Sequence, residues 1–506
     1  PASLVPAIGD ALGFVFQGQI EPRIQLLNHL AAKRALLILD NIEHLLGGVD
    51  LLAEILAHAP GVKLLATSRE RVNLHAEWLF DVQGLPVPLS DQVDGADDYA
   101  SVALFVQSAC RTQAGFELRA EELPWVVHIC RVLEGMPLAI ELAAAWVSML
   151  TCHEIAQEID RSLDFLTTSM RDVPARQQSL RAVFDHSWNL LSAEERKMLS
   201  RLAVFQGGFE RERAAQVAGA TLPALLSFVS KSLLRRAECG CHDLHEVVRQ
   251  YALAHLADDP QDEMATRDRH CDLYLALLRD RERALKSAAQ RETIRELTDA
   301  IDNVRAAWTW AIKREKFSLI ERALRCFGAL YDIRGWLRDG VEQLELLVQA
   351  LRGRPEDENR QTVLGQALAQ QSLLFFRQGQ FDRAKTLLDE SLALLRPVEN
   401  PALLTDPLIF SGVIMFLWGE MDRAQSLLDE GLACARAADD PWFAAYALFN
   451  TGYISSLQGR YAEGYDEMLA GLALWRRLGD PRATALGLNY ISPSAIKLGR
   501  HQEAQA

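Results

Sequence analysis

Residues 34–45 read RALLILDNIEHL, an apolar run that ends directly in a carboxylate, Asp40. Residues 63–70, KLLATSRE, repeat the arrangement, because a second apolar run is followed by Thr67 and then by Arg69. The carboxyl ends of parallel strands meet at one edge of a sheet, which is where open α/β folds bind ligands. We therefore expect the acid and the arginine to lie side by side at such an edge.

The apolar runs alternate with amphipathic segments, and this alternation predicts a parallel sheet covered by helices on both faces. The elements that we predict are strands over 35–39, 62–67 and 78–82 and a helix over 49–58.

The residue types at the predicted edge suit a nucleoside triphosphate. Carboxylate oxygens favour Mg²⁺, which proteins usually hold with one or two acids and the substrate phosphates, and an arginine can bind a phosphate with two hydrogen bonds. Taken alone, Asp40 could equally cap the helix that follows it. The arginine at the end of the neighbouring strand favours the nucleotide site.

Beyond the sheet the pattern changes three times, and we expect a multidomain, mostly α-helical chain. Helices follow first, then three helices with a terminal hairpin that indicate a winged helix, and finally helices only. The predicted domains are a truncated α/β NTPase sheet (1–90), a helical subdomain (91–175), a winged helix (176–258), a helical linker with degenerate repeats (265–360) and an α-solenoid (361–506).

A repeat with a period of 40 residues marks the last part of the chain. Its glycines are Gly379, Gly419, Gly459 and Gly499, and its prolines are Pro401, Pro441 and Pro481. Such periodicity is typical of a solenoid of helical hairpins. Small residues should let the paired helices approach closely at Leu392-Ala393, Leu432-Ala433 and Leu472-Ala473. The G-x-[aromatic or Met]-x-x-A element resembles the tetratricopeptide repeat, lengthened from about 34 residues.

Four motifs in order resemble the STAND class of signal-transduction ATPases, which are related to NB-ARC switches. LLILDNIEHL is similar to its Walker B motif and LLATSRE to its sensor-1 motif. EGMPLAIELAAA (134–145) is similar to its G-x-P motif, and LHEVVRQYA (244–252) to its M-H-D motif. Residues 179–209 resemble its winged helix. Bacterial transcriptional regulators of the LuxR/SARP type look most similar.

The resemblance implies ATP/ADP and Mg²⁺ as cofactors and assigns roles to individual residues. Asp40 would bind Mg²⁺, with Thr67 at the same edge, and Arg69 would sense the γ-phosphate. Pro137 would pack on adenine, and His245 would contact the β-phosphate in the closed state.

Departures from the family pattern affect the expected activity. The second Walker B position is Asn41, and an amide cannot take a proton from water, so hydrolysis should be slow unless Glu43 substitutes. The aspartate of the M-H-D motif is replaced here by the longer acid Glu246. The sequence contains no G-x-x-x-x-G-K-[ST] loop, the element that cradles the phosphates. We expect the chain to be an N-terminally truncated fragment that is inactive by itself and belongs to a slow ATPase.

The composition of the chain limits the kinds of partner and the cellular location that we expect. The net charge of −15 argues against a dominant nucleic-acid surface, and the eight scattered cysteines favour a reducing, cytoplasmic location. The apolar stretch 136–152 is short for a membrane span, so we expect a buried helix there and no membrane partner. DNA contact is expected only through an output domain outside this sequence.

Two local patterns have alternative interpretations. Cys239, Cys241 and His242 with His245 are Zn²⁺ ligand types, but they crowd into one predicted hairpin, which favours a wing with small apolar thiols. The third winged-helix segment, 222–231, is mostly apolar and offers one lysine, whereas base reading needs polar side chains. Packing within the chain is therefore favoured over direct DNA binding by residues 178–256.

These observations predict an ATP/ADP-dependent signalling switch, with the repeats receiving a protein or small-molecule inducer and the protein self-associating on activation. The alternative is a non-catalytic tetratricopeptide-like scaffold with a degenerate nucleotide domain.

Overall fold

The structure is a computed structural model that describes residues 4–14, 16, 20–40, 42, 45, 48–68, 71–88, 95, 98–161, 184–185, 188–231, 233–236, 240–353 and 358–505. Over these residues the protein is mostly helical, as predicted, and it divides into two units. The first unit runs to residue 263 without residues 205–207, and the second contains those three residues and the rest of the chain.

A parallel pair of strands lies near the start of the first unit. β1 (Ala35–Leu39) and β2 (Val62–Ala66) are connected by α3 (Val49–His58) and preceded by α1 (Leu4–Ala11) and α2 (Pro22–Ala31). The two predicted strands and the helix between them are confirmed. Buried leucine, isoleucine and valine side chains from these helices and strands form one core.

Only one face of this sheet is covered by the described residues. On the other face Leu36, Ile38 and Leu65 are 57%, 66% and 54% exposed. The prediction of helices on both faces is therefore not met within the described part of the chain.

The predicted third strand over 78–82 is wrong. Trp78, Phe80 and Val82 have no strand assignment and are 95%, 89% and 82% exposed. The alternation of apolar residues matches a strand, but no described strand pairs with this segment.

A helical core follows the sheet in the first unit. The helices are α4 (Ala100–Thr112), α5 (Leu123–Val132), α6 (Pro137–Ala144) and α7 (Cys152–Arg161), with a 3₁₀ turn at Ala145–Ser148. Phe105, Ile129 and Ile140 are fully buried in their shared core. The apolar stretch 136–152 therefore contributes to a protein core. No helix in the described residues is long and apolar enough to cross a membrane.

Three helices and a small hairpin come next, in the predicted order. They are α8 (Ala193–Leu202), α9 (Arg211–Ala218), α10 (Leu222–Ser230), the antiparallel pair β3 (Arg235–Arg236) and β4 (His242–Asp243), and then α11 (Glu246–Ala257). Ser192 and Glu195 form a capping box at the start of α8. The predicted helix over 179–190 falls largely outside the described residues, and the winged-helix assignment stays a prediction.

The second unit is an array of helices joined by short turns. The helices are α12 (Pro260–Leu285), α13 (Gln290–Asp299), α14 (Ile301–Lys313), α15 (Phe317–Arg334), α16 (Leu337–Arg352), α17 (Glu358–Arg377), α18 (Phe381–Leu395), α19 (Pro401–Leu417), α20 (Met421–Ala437), α21 (Pro441–Leu457), α22 (Tyr461–Leu478), α23 (Pro481–Lys497) and α24 (His501–Gln505), of which α12 begins in the first unit.

The 40-residue period of the repeats is confirmed by their geometry. The four repeated glycines occupy the turn inside each hairpin with φ of +75°, +80°, +85° and +73°, a region that favours glycine because it has no Cβ. The three repeated prolines are the first residues of α19, α21 and α23, where the missing N–H costs nothing.

The small residues that allow close helix packing differ from those predicted. The alanines of the repeated Leu-Ala pairs are exposed: Ala393, Ala433 and Ala473. Close approach occurs two positions earlier. A Cβ on Gly431 would lie 2.6 Å from Ile409 Cγ1, and one on Gly471 would lie 2.7 Å from the Ala445 carbonyl oxygen.

Candidate functional site

The ends of the two parallel strands bring Asp40 and Thr67 together. Thr67 Oγ1 donates a hydrogen bond to Asp40 Oδ1 over 2.5 Å. The backbone ladder continues past the strands, because the Thr67 N–H donates to the Leu39 carbonyl and the Ile42 N–H donates to the Thr67 carbonyl, at 2.9 and 3.0 Å. Both side chains are exposed. This sheet edge therefore offers a carboxylate and a hydroxyl to solvent.

Three of the predicted site residues lie outside the described residues: Asn41, Glu43 and Arg69. The predicted neighbourhood of Asp40 and Arg69 therefore stays a prediction. The oxygen donors that are described at this edge, one carboxylate and one hydroxyl, are of the type that Mg²⁺ prefers, so the residues present fit that ion.

A second cluster forms around Glu134, which the sequence did not single out. Its Oε1 accepts a hydrogen bond of 3.0 Å from the Glu246 N–H. Its Oε2 forms an ion pair with Arg235 Nη1 and lies 3.5 Å from His245 Nε2. One carboxylate thus joins the G-x-P turn to the β3–β4 hairpin and to the first turn of α11.

The turn that carries Glu134 has a tightly constrained backbone. Gly135 has φ of +69°, and its carbonyl accepts a 2.8 Å hydrogen bond from the Leu85 N–H. A Cβ on Gly135 would lie 2.0 Å from the Leu85 carbonyl oxygen, and one on Gly84 would lie 2.1 Å from the Glu134 carbonyl oxygen. Because Gly84 and Gly135 have no side chains, the backbone of residues 84–85 can lie in direct contact with the backbone of the turn at residues 134–135.

His245 is buried and both of its ring nitrogens are engaged. Nδ1 accepts a 3.2 Å hydrogen bond from the Val247 N–H, so Nε2 carries the proton and faces Glu134. Burial lowers the pKa of His245 below its ordinary value, although the charge of Glu134 opposes this shift. In this arrangement the ring has no nitrogen left for a phosphate, so the predicted phosphate contact requires Glu134 to move.

Pro137 is exposed at the first position of α6, three residues after Glu134. The ring is therefore accessible, as contact with an adenine base would require. The structure holds it in the same turn as the Glu134 cluster.

The third helix of the predicted winged helix makes contacts within the first unit. Lys231 follows α10 and pairs with Glu195 at 3.4 Å, and Ser227 Oγ donates to the same carboxylate at 2.6 Å. Burial tends to raise the pKa of Glu195, but these bonds and the capping box lower it to about 2. The Ser230 carbonyl accepts a 3.3 Å hydrogen bond from the Arg71 N–H. Because the lysine of this segment is paired, these contacts favour packing over DNA binding.

The predicted metal ligands lie in and beside the β3–β4 hairpin. Among the described residues, no group of three metal-ligating side chains occurs. His242 is in β4 and its backbone pairs with Phe209. Cys241 is half-buried, and Cys239 lies outside the described residues.

The repeats line a partly open cavity of about 380 Å³ within the second unit. The first helices of successive hairpins line it, together with the connection between α12 and α13. Trp442 and Trp475 are among the lining residues, whereas Trp308 is fully buried elsewhere. The sequence predicted that the repeats receive an inducer, but it did not predict which residues line this cavity, because the walls come from residues far apart in the chain.

No protein-family profile matches the sequence. A Mycobacterium tuberculosis protein named as a predicted HTH-type transcriptional regulator is 33% identical over 398 residues, a match that covers 75% of this chain and 43% of that protein. An uncharacterized protein of the same organism is 34% identical over 263 residues, covering 49% of this chain and 64% of its own length. The chain thus spans less than half of the named relative.

Among solved structures, the chain is similar to a STAND protein with a tetratricopeptide repeat sensor from Pyrococcus horikoshii. The sequence identity is 16%, the match covers 96% of this chain and 76% of that one, and the TM-score is 0.31.

Proposed function

We propose that the first unit belongs to an ATP/ADP-dependent switch and that the repeats are its sensor. The observation that carries the proposal is the position of Glu134, whose carboxylate lies between Arg235 and His245. A phosphate group is also an anion, and it can accept hydrogen bonds from an arginine and a histidine as the Glu134 carboxylate does. Nucleotide phosphate would therefore compete with Glu134 and change how the hairpin docks on the G-x-P turn.

The sheet edge supports the same proposal. Asp40 and Thr67 would supply oxygen ligands to Mg²⁺, and Pro137 would contact the base. An ATP site also needs a phosphate-binding loop, and the 506 residues contain none. The proposal therefore concerns a longer protein in which that loop is present, and hydrolysis there would be slow because Asn41 stands where a general base is expected.

A switch requires a ligand with different affinities for two states. The competing group would be the γ-phosphate: ADP, which lacks it, would leave Glu134 on Arg235 and His245 as described here, and ATP would release Glu134 from both. Release would expose surfaces for self-association and for an output module. The name of the mycobacterial relative favours transcription as the regulated process.

The direct test is hydrogen–deuterium exchange of the complete protein at residues 240–250. The Glu246 amide donates to Glu134, and the Val247 amide donates to His245. Both amides should therefore exchange slowly when ADP is bound and faster when ATP is bound. Glu134→Gln should speed their exchange with ADP. Glu121→Gln, which removes an exposed partner of Arg119, should change nothing. Equal exchange with both nucleotides, in protein that binds both, would refute the switch.

The cavity in the repeats favours a second candidate, a ligand-binding scaffold that does not use nucleotide. The coding sequence upstream of Pro1 discriminates between the two. An encoded G-x-x-x-x-G-K-[ST] loop supports the switch, and a reading frame without one supports the scaffold.

A further inference from the structure

The cavity in the repeats has the size of a small-molecule site. Its volume is about 380 Å³, near the lower end of the range for ligand pockets of about 300–1,000 Å³. Two hydrogen bonds between residues far apart in the sequence connect the walls of the cavity. Gln290 Nε2 donates to Asp480 Oδ1 over 3.2 Å, and Arg482 Nη1 donates to Asp332 Oδ2 over 3.1 Å. These bonds connect positions that are 190 and 150 residues apart in the sequence.

One wall of the cavity is aromatic. Trp442 and Tyr446 stack one helical turn apart on α21, with ring centroids 5.6 Å apart and 27° between the planes. Trp475 is fully buried beside them, and its Nε1–H has no hydrogen-bond partner among the described residues. The wall therefore offers a flat apolar surface made by the Trp442 and Tyr446 rings, with Trp475 packed beside them.

One end of the cavity carries an excess of positive charge. The buried carboxylate of Asp332 accepts hydrogen bonds from Arg377 Nε at 2.7 Å and from Arg482 Nη1 at 3.1 Å. Two guanidinium groups thus share one carboxylate. Burial tends to lower the pKa of Arg377, but the charge of Asp332, its hydrogen bond to Arg377 and the nearby tyrosines Tyr446 and Tyr490 together raise it. Most N–H donors of the two groups are not used by the hydrogen bonds of the described chain.

The carboxylates elsewhere in the cavity wall already have donors. Asp406 accepts from Arg325 at 2.6 Å and from Gln370 at 2.9 Å. Asp480 accepts from Gln290, from Trp442 Nε1 at 2.8 Å and from a backbone N–H at 2.9 Å. The unused hydrogen-bonding capacity of the wall therefore consists mainly of donors.

A cationic ligand would also find the aromatic surface partly occupied. Lys286 Nζ lies 5.3 Å from the centroid of the Trp442 ring and 4.8 Å from that of Phe443. This cation–π position is the one that a ligand ammonium would take. The chemistry of the wall thus favours acceptor-rich, negatively charged ligands.

We propose that this cavity binds a small organic anion with a flat apolar body. The anionic group accepts hydrogen bonds from the N–H groups of Arg377 and Arg482 that Asp332 does not use, and the body packs against Trp442 and Tyr446. Binding itself is independent of the nucleotide switch, whereas the role of this ligand as the input signal rests on the proposed function.

The test is calorimetric titration of the 506-residue chain, without nucleotide, with three probes that share a naphthalene ring. They are 2-naphthoate, 2-naphthamide and 2-naphthylmethylammonium. We expect the carboxylate to bind about tenfold more tightly than the amide, since a charge-assisted hydrogen bond contributes about 1.5–3 kcal/mol, and the ammonium to bind most weakly. Equal affinities for carboxylate and amide, or no binding of naphthoate at millimolar concentration, would overturn the proposal.

Arg482→Gln provides the variant, because this side chain is half-exposed and its loss should leave the fold intact. The variant should bind naphthoate about tenfold more weakly, to the level of the amide. Arg338→Gln is the control: this side chain is 93% exposed and pairs with Glu342, away from the cavity lining. The same loss in both variants, or binding of an extended peptide in place of all three probes, would contradict a small-anion site.

Since no nucleotide is present in this titration, its failure would overturn the anion site and leave the switch standing. Conversely, a failed exchange experiment with ATP and ADP would overturn the switch and leave the anion site standing. The two outcomes are therefore distinguishable.

Discussion

Asp40 and Thr67 directly follow two adjacent parallel strands, and Thr67 Oγ1 donates a hydrogen bond of 2.5 Å to Asp40 Oδ1. The bond fixes the orientation of one carboxylate oxygen at the open sheet edge. Both groups remain exposed, so a ligand at this edge would meet a carboxylate that is already oriented. This arrangement is the local basis for the proposed Mg²⁺ site.

The hydroxyl of Thr67 should matter for nucleotide binding more than for folding. We predict that Thr67→Val in the complete protein weakens Mg²⁺–ATP binding about fivefold, since a hydrogen bond contributes about 1 kcal/mol. Thr67→Ser keeps the hydroxyl and should bind like the wild type. Equilibrium titration with a fluorescent ATP analogue measures both, and equal weakening in the two variants would show that the hydroxyl has no such role.

The turn at Gly135 should be intolerant of any side chain. Gly135→Ala would place a Cβ 2.0 Å from the Leu85 carbonyl oxygen at a φ of +69°. Because the backbone fixes the position of a Cβ and the oxygen is itself a backbone atom, neither can rotate away, and we predict a loss of more than about 3 kcal/mol in the free energy of unfolding. Urea unfolding followed by circular dichroism measures the loss.

Gly115 is the matched control for this substitution. It also has a positive φ, +85°, but no described atom lies within 4 Å of the position that a Cβ would take there. Gly115→Ala should therefore cost about 1 kcal/mol, the backbone penalty alone. Equal losses at the two glycines would contradict the crossing of residues 84–85 over the turn.

The sequence predicted the first strands well because their apolar runs are short and are bounded by polar residues. It failed at 78–82, where Trp78 and Phe80 alternate like a strand but are almost fully exposed. Periodicity reports which residues share a face. It does not report whether a neighbouring strand exists to pair with them.

The repeat period could be predicted, whereas the cavity could not. The glycine and proline positions follow from local backbone requirements, so they recur every 40 residues and are visible in the sequence. Arg482 and Asp332 meet across 150 residues, a separation that no local pattern encodes. The role of Glu134 could have been predicted in part, because this acid directly precedes the glycine of the G-x-P motif.

His270 should make the second unit sensitive to acid. Its Nε2 lies 2.9 Å from Asn303 Oδ1, and burial lowers the pKa of this histidine to about 4. An unfolded histidine has a pKa of about 6.5, so on acidification the unfolded chain takes up the proton first. The stability from neutral His270 is therefore fully present above about pH 6.5 and is lost as the pH falls towards 4.

The variant His270→Gln keeps an amide donor for Asn303 and does not titrate. We predict that the wild type loses up to about 3 kcal/mol more than the variant between pH 7 and pH 4. Urea unfolding at several pH values measures the difference. A difference between the two proteins that does not change with pH would contradict the buried neutral histidine.

The role of Asp40 as a Mg²⁺ ligand is measured directly by the Mg²⁺ dependence of ATP binding by the complete protein, compared among wild type, Asp40→Ala and Asp50→Ala. Asp50 is an exposed acid in the first turn of α3 and serves as the control. If Asp40 holds the metal, Mg²⁺ should strengthen ATP binding about tenfold or more in the wild type and in the Asp50 variant, and should have no effect in the Asp40 variant. An Asp40→Ala protein that keeps the full Mg²⁺ dependence, or a wild type that binds no ATP, would rule out this metal site.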